Sequence, residues 1–287
     1  MVAKEYSSKE CMAYVCAREI LDGWVLFVGV GIPMMAALVA SKTHAKNTVL
    51  VYEGGAVGGV SRRLPYTIVD NACSDNALLL PEMWRLFSDM QCGFVDMGII
   101  GGAQIDKFGN LNSTVITNGG QKSYAAPAVR LPGSGGANDI ATSTNGTLIV
   151  MAIGKGKFVN TIDFVTSPGY LTGPGAREKA GIRWGGPRAV VTDKCVFRFD
   201  DVTKEMYLDS VYPGVTVEEI KDLVEWDLKV ATSVRTLDPP EEEYVQIMRA
   251  IDPAGVILGK KTVENVEEFE DFYNSMVAAY ESVQLKL

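Results

Sequence analysis

Residues 49–59 read VLVYEGGAVGG: four residues of an apolar strand run into a carboxylate, Glu53, and then into Gly54, Gly55, Gly58 and Gly59. A carboxylate at the end of a buried strand is partly desolvated, which costs free energy unless it is paired or used. Flanking glycines would leave room for a substrate group to reach it. Two readings follow: a reacting carboxylate, or a sheet-end glutamate hydrogen-bonded by neighbouring amides. Position alone leaves both open. The single histidine, His44 in SKTHAKN, stands in a polar stretch and reads as a solvated loop residue. With nothing near it to build a Ser-His-Asp triad or a His-rich metal site, catalysis is expected to rest on a carboxylate, a backbone dipole or a bound cofactor. The five cysteines (Cys11, Cys16, Cys73, Cys92, Cys195) are odd in number and never in a C-x-x-C pair, so neither a disulfide framework nor a zinc site is indicated.

The elements that must position Glu53 alternate over the first two-thirds of the chain. WVLFVGV, NTVLVYE, FVDMGII and TLIVMAIG read as strands, while IPMMAALVASK, with Pro33 in its first turn, and PEMWRLFSDM read as helices. Strands apolar on both faces that alternate with helices predict an α/β fold with an open, largely parallel sheet flanked by helices. In the last third, AVVTDKCVFRFDDVTKEMYLDSVYPG predicts antiparallel strands turning at DDVTKE, and TVEEIKDLVEW a helix capped by Thr216. The expectation is a single α/β domain over 1–287, with 254–287 a helical C-terminal extension.

Glycine clusters fall where such a sheet places ligands, beyond the carboxyl ends of its strands. They are Gly29-Val30-Gly31, Glu53-Gly54-Gly55, Gly101-Gly102, and the LPGSGGAND stretch with Gly133, Gly135 and Gly136. None has the spacing of a dinucleotide fingerprint or a P-loop.

Composition bounds the partners. The 287 residues are 47% hydrophobic and 22% charged, with a net charge of −8 and no concentrated Lys/Arg run, which argues against a nucleic-acid partner. The N-terminal stretch carries charges throughout and reads as an amphipathic helix rather than a signal peptide. No apolar run approaches the ~20 residues of a membrane span. A cytoplasmic protein is expected.

Four stretches carry a specific resemblance: GGAQIDKFGNLNST (101–114), LPGSGGANDIAT (131–142), IDFVTSPGYLTGPGARE (162–178) and VVTDKCVFRFD (190–200). Together they resemble the β subunit of the two-subunit family I CoA-transferases, the glutaconate CoA-transferase type above all, from about Trp24 to about Pro253. The resemblance implies that Glu53 is the catalytic glutamate, which moves CoA from an acyl-CoA to a small carboxylic, dicarboxylic acid by a ping-pong route through a glutamyl-CoA thioester. It implies coenzyme A and acyl-CoA as substrates, no permanently bound cofactor, no metal, and an α subunit as partner in a hetero-oligomer. It also makes Gly135 and Gly136 oxyanion donors, with Asn138 beside them, and Gln104 a polar group for a carboxylate oxygen or the CoA chain. Gly54, the neighbour through which substrate reaches Glu53, stands where glutaconate CoA-transferase has serine. The alternative is a CoA-thioester hydrolase or lyase of the same fold that uses Glu53 as a general base.

Overall fold

The computed structural model describes residues 2–61, 63–117, 124–252 and 255–259, together with Asn274 and Val277. The expected helical extension over 254–287 lies, apart from those few positions, outside the described residues. The chain divides into two compact units, one formed by Met1–Met83 and Pro239–Leu287, the other by Trp84–Asp238.

The first unit opens with α1 (Ser8–Arg18). Ser7 caps it: its Oγ accepts from the Glu10 N–H (3.2 Å), while the Glu10 carboxylate accepts from the Ser7 N–H (2.7 Å). The helix differs from the amphipathic expectation. Every residue from Glu10 to Ala17 is buried, because α1 packs on the helices Ile32–Lys42 and Glu242–Ile251. Glu10, the one charge in that run, is neutralised by Arg249 (2.7 Å). Strand β1 (Val25–Val28), helix α2 (Ile32–Lys42) and strand β2 (Val49–Tyr52) follow, and β1 pairs parallel with β2 from Val25–Val49 to Val28–Tyr52.

In the second unit α3 (Met83–Gln91) leads to β3 (Met97–Ile100), followed by two short antiparallel pairs. These are β4 (Gln104–Ile105) with β5 (Leu111–Asn112), and β6 (Val115–Ile116) with β7 (Val129–Arg130). Then come α4 (Ala137–Ser143), β8 (Thr147–Val150), α5 (Ala176–Lys179), β9 (Pro187–Val191), β10 (Cys195–Phe199), β11 (Met206–Val211), α6 (Val217–Lys221) and β12 (Lys229–Thr236). Strands β3, β8 and β9 pair in parallel; β10 is antiparallel to both β9 and β11; β12 returns parallel to β11. The fold class is therefore the expected one, mixed but mostly parallel strands flanked by helices. The turn over 200–205 and the Thr216 cap are also as expected, the latter accepting from the Glu219 N–H (3.2 Å). Helix α6 ends at Lys221, shorter than its sequence pattern, and Val224 instead bridges to Phe158.

Helix α7 (Glu242–Ile251) belongs to the first unit and packs on α1 and α2. There His44 differs from the solvated loop residue expected. It is half-buried; its Nε2 lies 3.1 Å from the Ile20 carbonyl and its Nδ1 2.9 Å from the Tyr244 hydroxyl, which joins α7 to the turn after α2.

Candidate active site

Glu53 stands one residue past β2 and is half-buried. Its carboxylate has no hydrogen-bond or ion-pair partner among the described residues. The chain turns at once, with the Gly55 N–H bonded to the Tyr52 carbonyl (2.9 Å) and the Tyr52 N–H to the Ala56 carbonyl (2.9 Å). Val57 then forms a bridge with both Val51 and Leu79. The glycines owe their identity to this return. A Cβ on Gly54 would meet the Ile68 carbonyl at 2.6 Å, on Gly55 the Pro81 carbonyl at 2.3 Å, and on Gly59 the Cys73 carbonyl at 2.0 Å. The segment 67–81 thus occupies the side-chain space these glycines leave, and packing accounts for glycine rather than serine at position 54. Arg63 and Asp70 brace the segment with two parallel bonds (2.8 and 2.7 Å). Burial alone would raise the Asp70 carboxyl, but Arg63 and the N–H groups of Ala72 and Tyr66 hold it below the usual range.

The remaining candidates lie in the second unit. Gln104, on β4, is buried and almost fully engaged. Its amide oxygen accepts from Asn112 Nδ2 (2.7 Å) and the Asp163 N–H (3.2 Å), and its Nε2 donates to Asp163 Oδ2 (3.1 Å). Asp163 also accepts from the Thr117 hydroxyl (2.7 Å). Only one N–H of the Gln104 amide is left for any other partner.

The glycine-rich loop runs from Gly133 to the start of α4. Gly135 is exposed with φ +49°, a conformation that favours glycine; Gly136 is buried with φ −81°. The Gly136 carbonyl accepts from the Ile140 N–H (2.9 Å) and the Ser134 hydroxyl from the Asn138 N–H (3.2 Å). The N–H groups of Gly135 and Gly136 donate to no group among the described residues. The Asn138 side chain is exposed. Two free, adjacent N–H groups on a fixed loop can stabilise a developing oxyanion.

The family model described as Coenzyme A transferase matches residues 9–223. The chain belongs to the coenzyme A transferase family. It is 36% identical over 250 residues to the β subunit of 3-oxoadipate CoA-transferase of Pseudomonas knackmussii, covering 86% of this chain and 94% of that one. It is likewise 36% identical over 255 residues to the β subunit of glutaconate CoA-transferase of Acidaminococcus fermentans, covering 86% and 93%. The crystal structure of glutaconate CoA-transferase from the same organism superposes with a TM-score of 0.83 at 34% identity, over 90% of this chain and 99% of that one.

The stretches 101–114 and 162–178 are joined to one another. Asn110 Oδ1 accepts from the N–H groups of Gly169 and Leu171 (2.8 and 3.1 Å), and its Nδ2 donates to Asp106 and to the Leu171 carbonyl. Burial raises the Asp106 carboxyl although Asn110 and the Phe108 N–H bond to it. Leu111 bridges to Ser167. Three residues bonded to these stretches, Ser113, Asp163 and Arg177, are singled out by no sequence pattern. Among their bonds are ones to Gly133, Gln104 and Ala141, which lie 20, 59 and 36 residues away respectively, and no local pattern signals such contacts.

Proposed function

We propose that this chain is the glutamate-bearing subunit of a two-subunit CoA-transferase that moves CoA between an acyl-CoA and a small dicarboxylic acid. The observation that carries the reading is the Glu53 carboxylate itself: half-buried beyond β2 and without a partner among the described residues. A structural glutamate at a strand end would be hydrogen-bonded; a nucleophile must be free. Both relatives are named as one subunit of their enzyme, which supports the need for an α-type partner, and both names specify dicarboxylates, glutaconate and 3-oxoadipate.

In the reaction Glu53 attacks the thioester carbonyl of the donor. The C–S bond breaks, giving a mixed anhydride and CoA thiolate. The thiolate then attacks the glutamyl carbonyl, releases the donor as its carboxylate and leaves CoA in thioester linkage to Glu53. The acceptor carboxylate attacks this thioester, and the expelled thiolate takes the acceptor's acyl group from the second anhydride. Glu53 is regenerated and no proton or phosphate is consumed. Each addition puts negative charge on a carbonyl oxygen, for which the Gly135 and Gly136 N–H groups are assigned as donors, with Asn138 beside them. One such donor is commonly worth about 3 kcal/mol. Gln104 contributes chiefly by holding β4 to Asn112 and Asp163, its remaining N–H being the one available to substrate. Gly54 serves through its lack of a side chain.

The test is Glu53→Gln. It should assemble normally and lose turnover by several orders of magnitude, as removal of a covalent nucleophile does. Hydroxylamine should inactivate the wild-type enzyme only after exposure to acyl-CoA. Full activity of the variant would end the reading, and a general-base role would show as hydrolysis without a hydroxylamine-sensitive state.

A further inference from the structure

We propose that Ser113 and Arg177 are positioning residues for CoA transfer, gripping the glycine-rich loop from its two ends so that the Gly135 and Gly136 N–H groups stay free and fixed. The inference rests on the reading of that loop as the oxyanion donor.

At the entrance, pairing of β6 with β7 carries Ser113 alongside Gly133. The two residues exchange bonds: the Gly133 N–H donates to the Ser113 carbonyl (2.8 Å), and the Ser113 hydroxyl donates to the Gly133 carbonyl (2.9 Å). Two residues earlier the Leu131 N–H reaches the Thr114 carbonyl (3.0 Å). Ser113 is itself held, its N–H donating to Thr166 Oγ1 (2.9 Å), which in turn lies 2.7 Å from Thr114 Oγ1.

At the far end, α4 finishes with carbonyls that have no partner inside the helix. Arg177 Nη2 takes one of them, Ala141 (3.0 Å), and also the Trp184 carbonyl, while Nη1 donates to Pro168 (3.2 Å) and Gly169 (2.7 Å). The residue is 4% exposed and forms no ion pair among the described residues. Burying a guanidinium without a counter-ion is costly. An apolar side chain would fill the space without that cost. What only the guanidinium supplies is a planar fork of donors that fixes carbonyls from three segments at once. The loop is therefore anchored before Ser134 by Ser113 and after α4 by Arg177, and the unengaged N–H groups sit between the anchors. Oxyanion donors act only if they already point at the oxygen when charge develops, and displacement by about 1 Å can cost as much as a hundredfold in rate.

The experiment uses the complex co-expressed with its α-type subunit and compares wild type, Ser113→Ala, Ser113→Thr and Arg177→Lys. The readouts are kcat, KM for acyl-CoA, the single-turnover rate of hydroxylamine-sensitive thioester formation, and Tm. Ser113→Ala should lower both kcat and the single-turnover rate about tenfold with KM and Tm little changed, and Ser113→Thr, which keeps the hydroxyl, should recover most of the loss. Arg177→Lys, which keeps the charge but loses the fork, should lower the same rates further. Wild-type rates in Ser113→Ala, or a change confined to KM, would overturn the proposal. If Arg177→Lys does not assemble, the Ser113 pair decides alone. If the wild-type enzyme forms no thioester, it is the Glu53 reading that falls, and the split between kcat and KM in Ser113→Ala still decides the role of the loop.

Discussion

Among the described residues the Glu53 carboxylate has no partner, while the glycines that follow it are closely packed. Gly54, Gly55, Gly58 and Gly59 let the segment 67–81 close over the turn that follows β2, and the tightest approach is at Gly59, where an added Cβ would stand 2.0 Å from the Cys73 carbonyl. Gly59→Ala is expected to lower stability by about 1–3 kcal/mol, the usual cost of overpacking against backbone that cannot move aside, measured by urea denaturation of the purified chain. At this scale the sequence was half legible. A carboxylate at the end of an apolar strand could be read from VLVYE alone, and glycine after it signalled a close approach. What approaches could not be read, because Ile68, Cys73 and Pro81 arrive from a segment with no periodic pattern of its own. The burial of His44 is likewise not legible in SKTHAKN, since its partner Tyr244 lies 200 residues on.

Among the elements, α1 shows how a charge buried in a helix can be structural. Glu10 completes the capping box with Ser7 and accepts from Arg249 on α7 (2.7 Å), so one carboxylate fixes the start of one helix and its contact with another. Burial pushes its pKa up, but the bonds from Arg249 and Ser7 outweigh burial and leave it below the ordinary 4.5. The sign follows: a depressed folded-state pKa contributes stability that is fully present above 4.5 and is lost as pH falls through the lower folded value. Glu10→Gln should therefore be less stable than wild type at pH 7, with the gap narrowing once the pH drops below about 4.5. Denaturation of both proteins across that range measures it, and a gap independent of pH would contradict it. The strands β1, β2, β3 and β8 and the helices α2 and α3 were legible because each is a local apolar pattern with its own stop signals. The burial of α1 was not, because the Glu10–Arg249 pair that permits it spans 239 residues. The pairs β4–β5 and β6–β7, two residues per strand, are too short to show a period. Beside them, side chains join the stretches 101–114 and 162–178: Asn110 accepts from the Gly169 and Leu171 N–H groups and Thr166 from the Ser113 N–H, so these stretches build a scaffold.

For the whole molecule, the proposed chemistry asks for an enclosed site, and we propose that a partner subunit completes it. Anhydride and thioester at Glu53 must be kept from water, and both relatives at 36% identity are single subunits of their enzymes. The purified chain is expected to be inactive, and to gain activity on co-expression with an α-type subunit as a symmetric hetero-oligomer. Light scattering and activity measured on the chain and on the complex check this; full activity of the isolated chain would contradict it. The central claim is the covalent one, and the direct measurement is peptide mass spectrometry of the complex after incubation with a dicarboxylyl-CoA and rapid acid quench. The account predicts that the peptide containing Glu53, and no other, gains the mass of CoA less one water, that hydroxylamine removes the adduct, and that Glu53→Gln shows none. A CoA adduct on a different residue, or turnover with no adduct on Glu53, would contradict it.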